Sequence, residues 1–203
     1  MRGILVLITV ALVTGCVDVK QPYVEKQFFL IQVPSAEKAS QTIPGSVLRV
    51  VDFDVSPAFT DKELVYLQQD NQYTSDFYNS FFISVSNMFT EASKNWLQQS
   101  AMFSQVVSLN SLIDANYILE GLVQGVYGDF RDQNAPKAVL KLQFLLLSVN
   151  ENGENEVILQ QNFHEEVSIA DTSAAELVKG WNSALEKVLQ DLEGKISAEI
   201  LEK

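Results

Sequence analysis

The chain has 203 residues, 14 Lys and Arg against 26 Asp and Glu for a net charge of −12, one Cys, one His and 47% hydrophobic residues. So acidic a chain, with no Lys/Arg cluster, lacks the cations that grip a phosphate backbone, and no nucleic-acid partner is expected. One Cys excludes an internal disulfide, one His with one Cys cannot build the common zinc sites, and neither a metal nor another cofactor is expected.

The first sixteen residues carry the strongest signal. Arg2 supplies a positive start, Ile4 to Val13 an apolar run of ten residues, and Thr14, Gly15 and Cys16 follow. That run is about half the ~20 residues a membrane-spanning helix needs, so it reads as the hydrophobic region of a signal peptide. Small residues before Cys16 let the chain enter a peptidase as an extended strand, and the Cys16 thiolate is the nucleophile for diacylglyceryl transfer. The segment resembles the lipobox of bacterial lipoproteins. Cleavage is expected between Gly15 and Cys16, removing residues 1–15 and leaving Cys16 as the lipidation site. A short N-terminal core segment with a buried Cys, or an ordinary signal with an unmodified Cys, are the competing readings.

Processing there leaves 188 residues and removes Arg2, so the net charge becomes −13. Such a surface is not drawn to anionic head groups. The membrane partner must then be reached through N-terminal acyl chains, at ~0.8 kcal/mol per buried methylene. Val17 rather than Asp follows Cys16, which permits export to the outer membrane, while Asp18 leaves inner-membrane retention open.

Residues 16–27 have no sustained periodicity and read as an acylated tether, and 28–203 as a single periplasmic domain without linker or repeat. Phe28 to Val33 is an apolar run stopped by Pro34. Val47 to Val55 alternates as a strand, and Leu64 to Gln69 and Gln72 to Ser75 flank Asp70-Asn71 as a hairpin. Phe82, Val85, Phe89, Ala92 and Trp96 recur at three and four residues, predicting an amphipathic helix from about Tyr78 to Ser100. Strands are predicted at Phe103 to Val107, Asn116 to Tyr127, Ala138 to Asn150 and Glu156 to Ile169, the last two joined by a turn at Asn150-Glu151-Asn152-Gly153. A last helix opens at Ser173, with Glu176 completing a capping box, and carries the stripe Leu177, Trp181, Ala184, Leu185, Val188, Leu192, Ile196. Gly180 and Gly194 weaken it by about 1 kcal/mol each. The pattern predicts an α+β fold, a mostly antiparallel sheet with two long amphipathic helices packed on one face.

Catalytic chemistry finds no support: no nucleophile elbow, phosphate-binding loop or paired metal motif occurs. His164, beside Glu165 and Glu166, reads as an exposed strand residue, and Asp52/Asp54 and Glu165/Glu166 as solvated strand faces. Gly121, Gly125 and Gly128 read as a bulge or close backbone approach. Trp96 and Trp181 read as core. Phe77, Tyr78, Phe81 and Phe82 are more aromatics in a row than one helix face buries, so part of them reads as an exposed patch for a protein or lipid partner.

Taken together, Cys16, Leu64-Val65-Tyr66 before a hairpin, the aromatics Tyr78 to Phe82, Met102-Phe103-Ser104-Gln105-Val106 and Ala115-Asn116-Tyr117-Ile118-Leu119-Glu120-Gly121 resemble the ABC-type transport auxiliary lipoproteins, the PqiC-like family. The sequence departs from that pattern at Leu67, where a basic residue is usual, at Phe81 or Phe82, where a Trp is usual, and at Asn116, where an Asp is usual. The resemblance implies a non-enzymatic subunit of an intermembrane transport system for lipids or other hydrophobic molecules. Its implied partners are an MCE-domain protein and inner-membrane permease and ABC components, which it would meet from the periplasmic face of the outer membrane. A carrier holding an acyl chain, and a regulator or assembly factor of the cell envelope, are the alternatives. An uncovered sheet edge would also allow a homo-oligomer.

Overall fold

The computed structural model describes residues 25–201, so Gly15, Cys16 and most of the expected tether lie outside the described residues. Its strands are β1 (Gln27–Phe29), β2 (Ile43–Val50), β3 (Asp54–Val55), β4 (Glu63–Gln69), β5 (Gln72–Phe81), β6 (Phe103–Ser108), β7 (Tyr117–Asp129), β8 (Lys137–Val149) and β9 (Asn155–Ser168). The helices are α1 (Val85–Ser100) and α2 (Ala174–Leu201). Among the described residues no helix is long and apolar enough to cross a membrane.

The strand path is β1-β5-β4-β7-β2-β6, with β3 and β8 also on β7 and β9 on β8. The α+β class holds, but the sheet is mixed rather than mostly antiparallel. The hairpin β4–β5 and the meander β7–β8–β9 are antiparallel, whereas β1 on β5, β2 on β6 and β7, β3 on β7 and β4 on β7 are parallel. The cause is the length of β7. One of its edges is filled by β8, and the other is shared in turn by β2, β3 and β4, short strands whose direction alternation in sequence does not encode. Of the helices, α1 lies against β3, β6 and β7, and α2 against β8 and β9.

Turns follow their residue chemistry. Asn71 takes φ 62° in the β4–β5 hairpin and Gly153 φ 79° in the β8–β9 turn, left-handed conformations that Asn and Gly tolerate best. The predicted helix from Tyr78 starts instead at Val85, capped by Ser84, whose Oγ accepts from the Asn87 N–H at 3.3 Å. Tyr78 to Phe81 belong to β5: Asn79 to Phe81 pair with β1, and Phe81 N–H donates to Lys62 O, just ahead of β4, at 2.6 Å. At α2, Ser173 Oγ accepts from Glu176 N–H at 3.3 Å as the capping box requires, but the Ser173 N–H is taken by Asp171 Oδ1 at 2.8 Å.

The buried apolar residues form one cluster between sheet and helices. Trp181 is fully buried on α2 and donates Nε1–H to Val139 O at 3.1 Å, closing the polar group its burial would otherwise strand. Gly180 is more than a weak helix residue. A Cβ there would come within 2.5 Å of Ala138 Cβ and 2.7 Å of Ile169 Cγ2, so glycine sets how closely α2 meets β8. On the other helix, Thr90 Oγ1 accepts from Phe53 N–H at 2.9 Å and Ser86 Oγ donates to Phe53 O at 2.6 Å, fixing the break between β2 and β3 onto α1. Residues 30–42 cross both helices as an irregular strap: Ile31 N–H points at Met88 Sδ, Gln32 N–H donates to Asn182 Oδ1 and Ala39 N–H to Ser100 O.

Candidate functional site

The site is an aromatic face at the edge of the sheet, and a β-bulge builds it. Between the pairs Glu63↔Ser80 and Val65↔Ser75, β4 advances two residues while β5 advances five. The surplus holds Asp76, Phe77, Tyr78 and Asn79. Such a bulge leaves backbone groups without ladder partners and re-aims side chains. Asp76 closes the account: Oδ1 accepts from Tyr78 N–H at 2.8 Å and Asn79 N–H at 3.0 Å, and Oδ2 from Asn79 Nδ2 at 2.8 Å and Tyr66 OH at 2.6 Å. With its carboxylate turned inward onto four donors, Asp76 holds Phe77 and Tyr78 outward.

The electrostatics agree with this geometry. Partial burial acts to raise the Asp76 carboxyl, but the hydrogen bonds from Tyr66, Asn79 and the backbone outweigh it and hold the group below the ordinary Asp value. Burial first, and then the bond to Asp76, push the Tyr66 phenol up, so it remains a donor. The Tyr66 ring stacks on Phe130 at 5.0 Å, which anchors the bulge to the core.

Strand β1 completes the face. It pairs with β5 as Phe28↔Ser80 and Phe29↔Phe81, and Phe82 N–H donates to Phe29 O at 2.8 Å. Phe28 and Phe82 meet edge to face at 6.2 Å, and Phe77 and Tyr78 at 5.2 Å. Lys26 Nζ stands 4.2 Å over the Phe77 ring, and Lys62 Nζ donates to Phe82 O at 3.2 Å. Phe77 is 67% exposed, Phe82 61% and Phe28 59%, far more than single scattered apolar residues require. The structure therefore leaves Phe77, Tyr78 and Phe82 exposed along the β1–β5 edge, the first two as one pair and Phe82 paired with Phe28, but it buries Phe81, 2% exposed, against Trp181 at 5.5 Å. Reading the sequence missed Phe28, which joins through tertiary pairing, and Asp76. An Asp three residues before an Asn, around two aromatics, is the local turn signal that marks the latter.

Other singled-out residues serve structure. Trp96 is buried. A Cβ at Gly121 would meet the Phe53 ring at 2.6 Å and one at Gly128 the Phe130 ring at 2.8 Å, while Gly125 flanks a register shift in β7. His164 is half exposed with Nε2 3.4 Å from Glu166 Oε1, and Glu166 bonds Lys137 at 2.8 Å, which holds its carboxyl below the usual value. Asp52 and Asp54 lie at the β2–β3 break, where Asp54 opens β3. Among the described residues no three His, Cys, Asp or Glu gather as a metal site. Aromatic edges with a cationic rim suit contact with an apolar or amphipathic surface.

A family model described as the ABC-type transport auxiliary lipoprotein component matches residues 28–193. No curated protein matches the chain. Among solved structures, a Xanthomonas campestris protein of the DUF330 family model superposes with TM-score 0.72 at 15% identity, covering 86% of this chain and 95% of that one. An uncharacterised protein superposes with TM-score 0.64 at 18% identity, covering 85% and 99%. A hypothetical protein from Chlamydia trachomatis does so with TM-score 0.53 at 9% identity, covering 78% and 99%. At these identities the likeness is one of fold.

Proposed function

The chain belongs to the ABC-type transport auxiliary lipoprotein family, and on that premise we propose that it is a non-enzymatic, lipid-anchored subunit of an ABC/MCE-type system moving lipids or other hydrophobic molecules between the two membranes. The observation that carries this reading is the family match across 28–193, which runs from β1 to most of α2 and includes Phe28, Phe77, Tyr78 and Phe82. Residues 1–15 act as the signal, Cys16 is acylated, and the single domain that follows works from the periplasmic face of the outer membrane. There it receives the periplasmic part of an MCE-domain protein coupled to the inner-membrane permease. Anchoring supplies the effective concentration that makes such an encounter efficient without a large interface.

Affinity purification of the acylated chain from envelope membranes in mild detergent is the test. Co-purification of an MCE protein or permease supports the reading. Their absence, with peptidoglycan synthases or outer-membrane assembly factors enriched instead, replaces it by the envelope-regulator reading. A groove between residues 30–34 and α1, lined by Ile31, Val33, Met88 and Trp96 together with Gln32, Glu91 and Asn95, is where lipid carriage as a second role would take place. Native mass spectrometry of the unacylated chain without co-purified lipid would exclude that role.

A further inference from the structure

We infer that the face formed by Phe28, Phe77, Tyr78 and Phe82 rests on the lipid surface that holds Cys16, and so orients the domain on the membrane. The inference deepens the proposed function and rests on acylation at Cys16. The first argument is where the tether ends. Phe28 lies twelve residues after Cys16 and is itself part of the face. A chain of that length reaches at most ~40 Å, so this edge of the sheet is the part of the fold held nearest the bilayer. Its encounter with lipid is then intramolecular.

The second argument is chemical. The acid excess opposes contact with anionic head groups over most of the surface. At this face Lys26 Nζ lies over the Phe77 ring and Lys62 Nζ bonds the Phe82 carbonyl, and Asp76, the acid within the bulge, is turned inward onto its four donors. Aromatic rings flanked by Lys match the head-group region, where amphipathic aromatics sit with cations at the rim. A folded domain held through its acylated N-terminus alone has no fixed orientation on the membrane. A weak second contact limits that motion at the edge nearest the lipid.

The test uses the mature chain, Cys16 to Lys203, carrying Cys16→Ala, so that any lipid affinity belongs to the folded domain. Sedimentation with phosphatidylcholine vesicles, with and without phosphatidylglycerol, is expected to show weak partition. The Phe28→Ser/Phe77→Ser/Phe82→Ser variant should weaken it on the order of tenfold. Phe77→Ser alone is the second variant, with near-ultraviolet dichroism of Trp181 reporting an intact core. Partition that is absent in the parent chain, or unchanged in folded variants, overturns the inference. Failure of acylation would show separately, as a missing lipid mass on Cys16.

Discussion

The two ends of β5 differ in how their side chains are satisfied. At the hairpin end, Arg131 bonds Asp129 at 2.7 Å and Asp70 at 2.9 Å, and nearby Lys137 bonds Glu166 at 2.8 Å. The bond from Arg131 holds the Asp129 carboxyl below its ordinary value. Toward the other end Asp76 uses its whole hydrogen-bonding capacity in positioning Phe77 and Tyr78, and those rings, with Phe28 and Phe82, stay 45% to 67% exposed. One end closes on itself and the other is built open. Surface ion pairs contribute little and need no external partner, whereas the exposed rings leave apolar surface in contact with water.

The comparison breaks most completely at the anchor. Cys16→Ala is expected to move the protein from the membrane fraction to the soluble periplasmic fraction with its fold intact, as fractionation and circular dichroism would show. Retention in the membrane would mean that the lipobox reading is wrong. The core beneath the open end comes next. Trp181→Ala removes a fully buried ring packed on Phe81 and should cost about 3–5 kcal/mol in denaturant unfolding.

Asp76→Ala tests whether the bulge is held as described. It strands the backbone donors of Tyr78 and Asn79, and a loss of about 1–2 kcal/mol is expected together with faster amide exchange across 76–80. The pH dependence follows from the same group. Because the folded carboxyl lies below its unfolded value of about 3.9, its stabilisation is complete above that pH and is lost as pH falls through the lower folded value. Asp129, Glu166 and Asp171 are depressed too, so the informative quantity is a smaller acid loss in Asp76→Ala than in the parent. Smallest of all, Phe77→Ser should change stability by no more than about 0.5 kcal/mol, since the ring is mostly solvent-exposed.

Periodicity made most elements legible, because it reports which side of a segment is buried. The stripe from Leu177 to Ile196 became α2, and Asn150 to Gly153 became the β8–β9 turn. Strand direction was not legible, because alternation is the same in parallel and antiparallel strands, and β7 collects β2, β3 and β4 from distant parts of the chain. Phe82 continues the three-and-four spacing of α1 into the bend after β5, so periodicity starts the helix too early. Only the Ser84 cap marks the change. The candidate site was legible in composition but not in shape. Four consecutive-looking aromatics sort into three exposed and one buried only once the bulge at Asp76 is formed, and Phe28 joins them through pairing across about fifty residues.

Hydrogen exchange of the acylated chain on phospholipid vesicles, compared with the Cys16→Ala chain in solution, tests the difference between the two ends most directly. Slowed exchange across residues 76–82, with residues 129–137 unchanged, is the predicted result. Equal exchange at both ends, or slowing confined to 129–137, would contradict it.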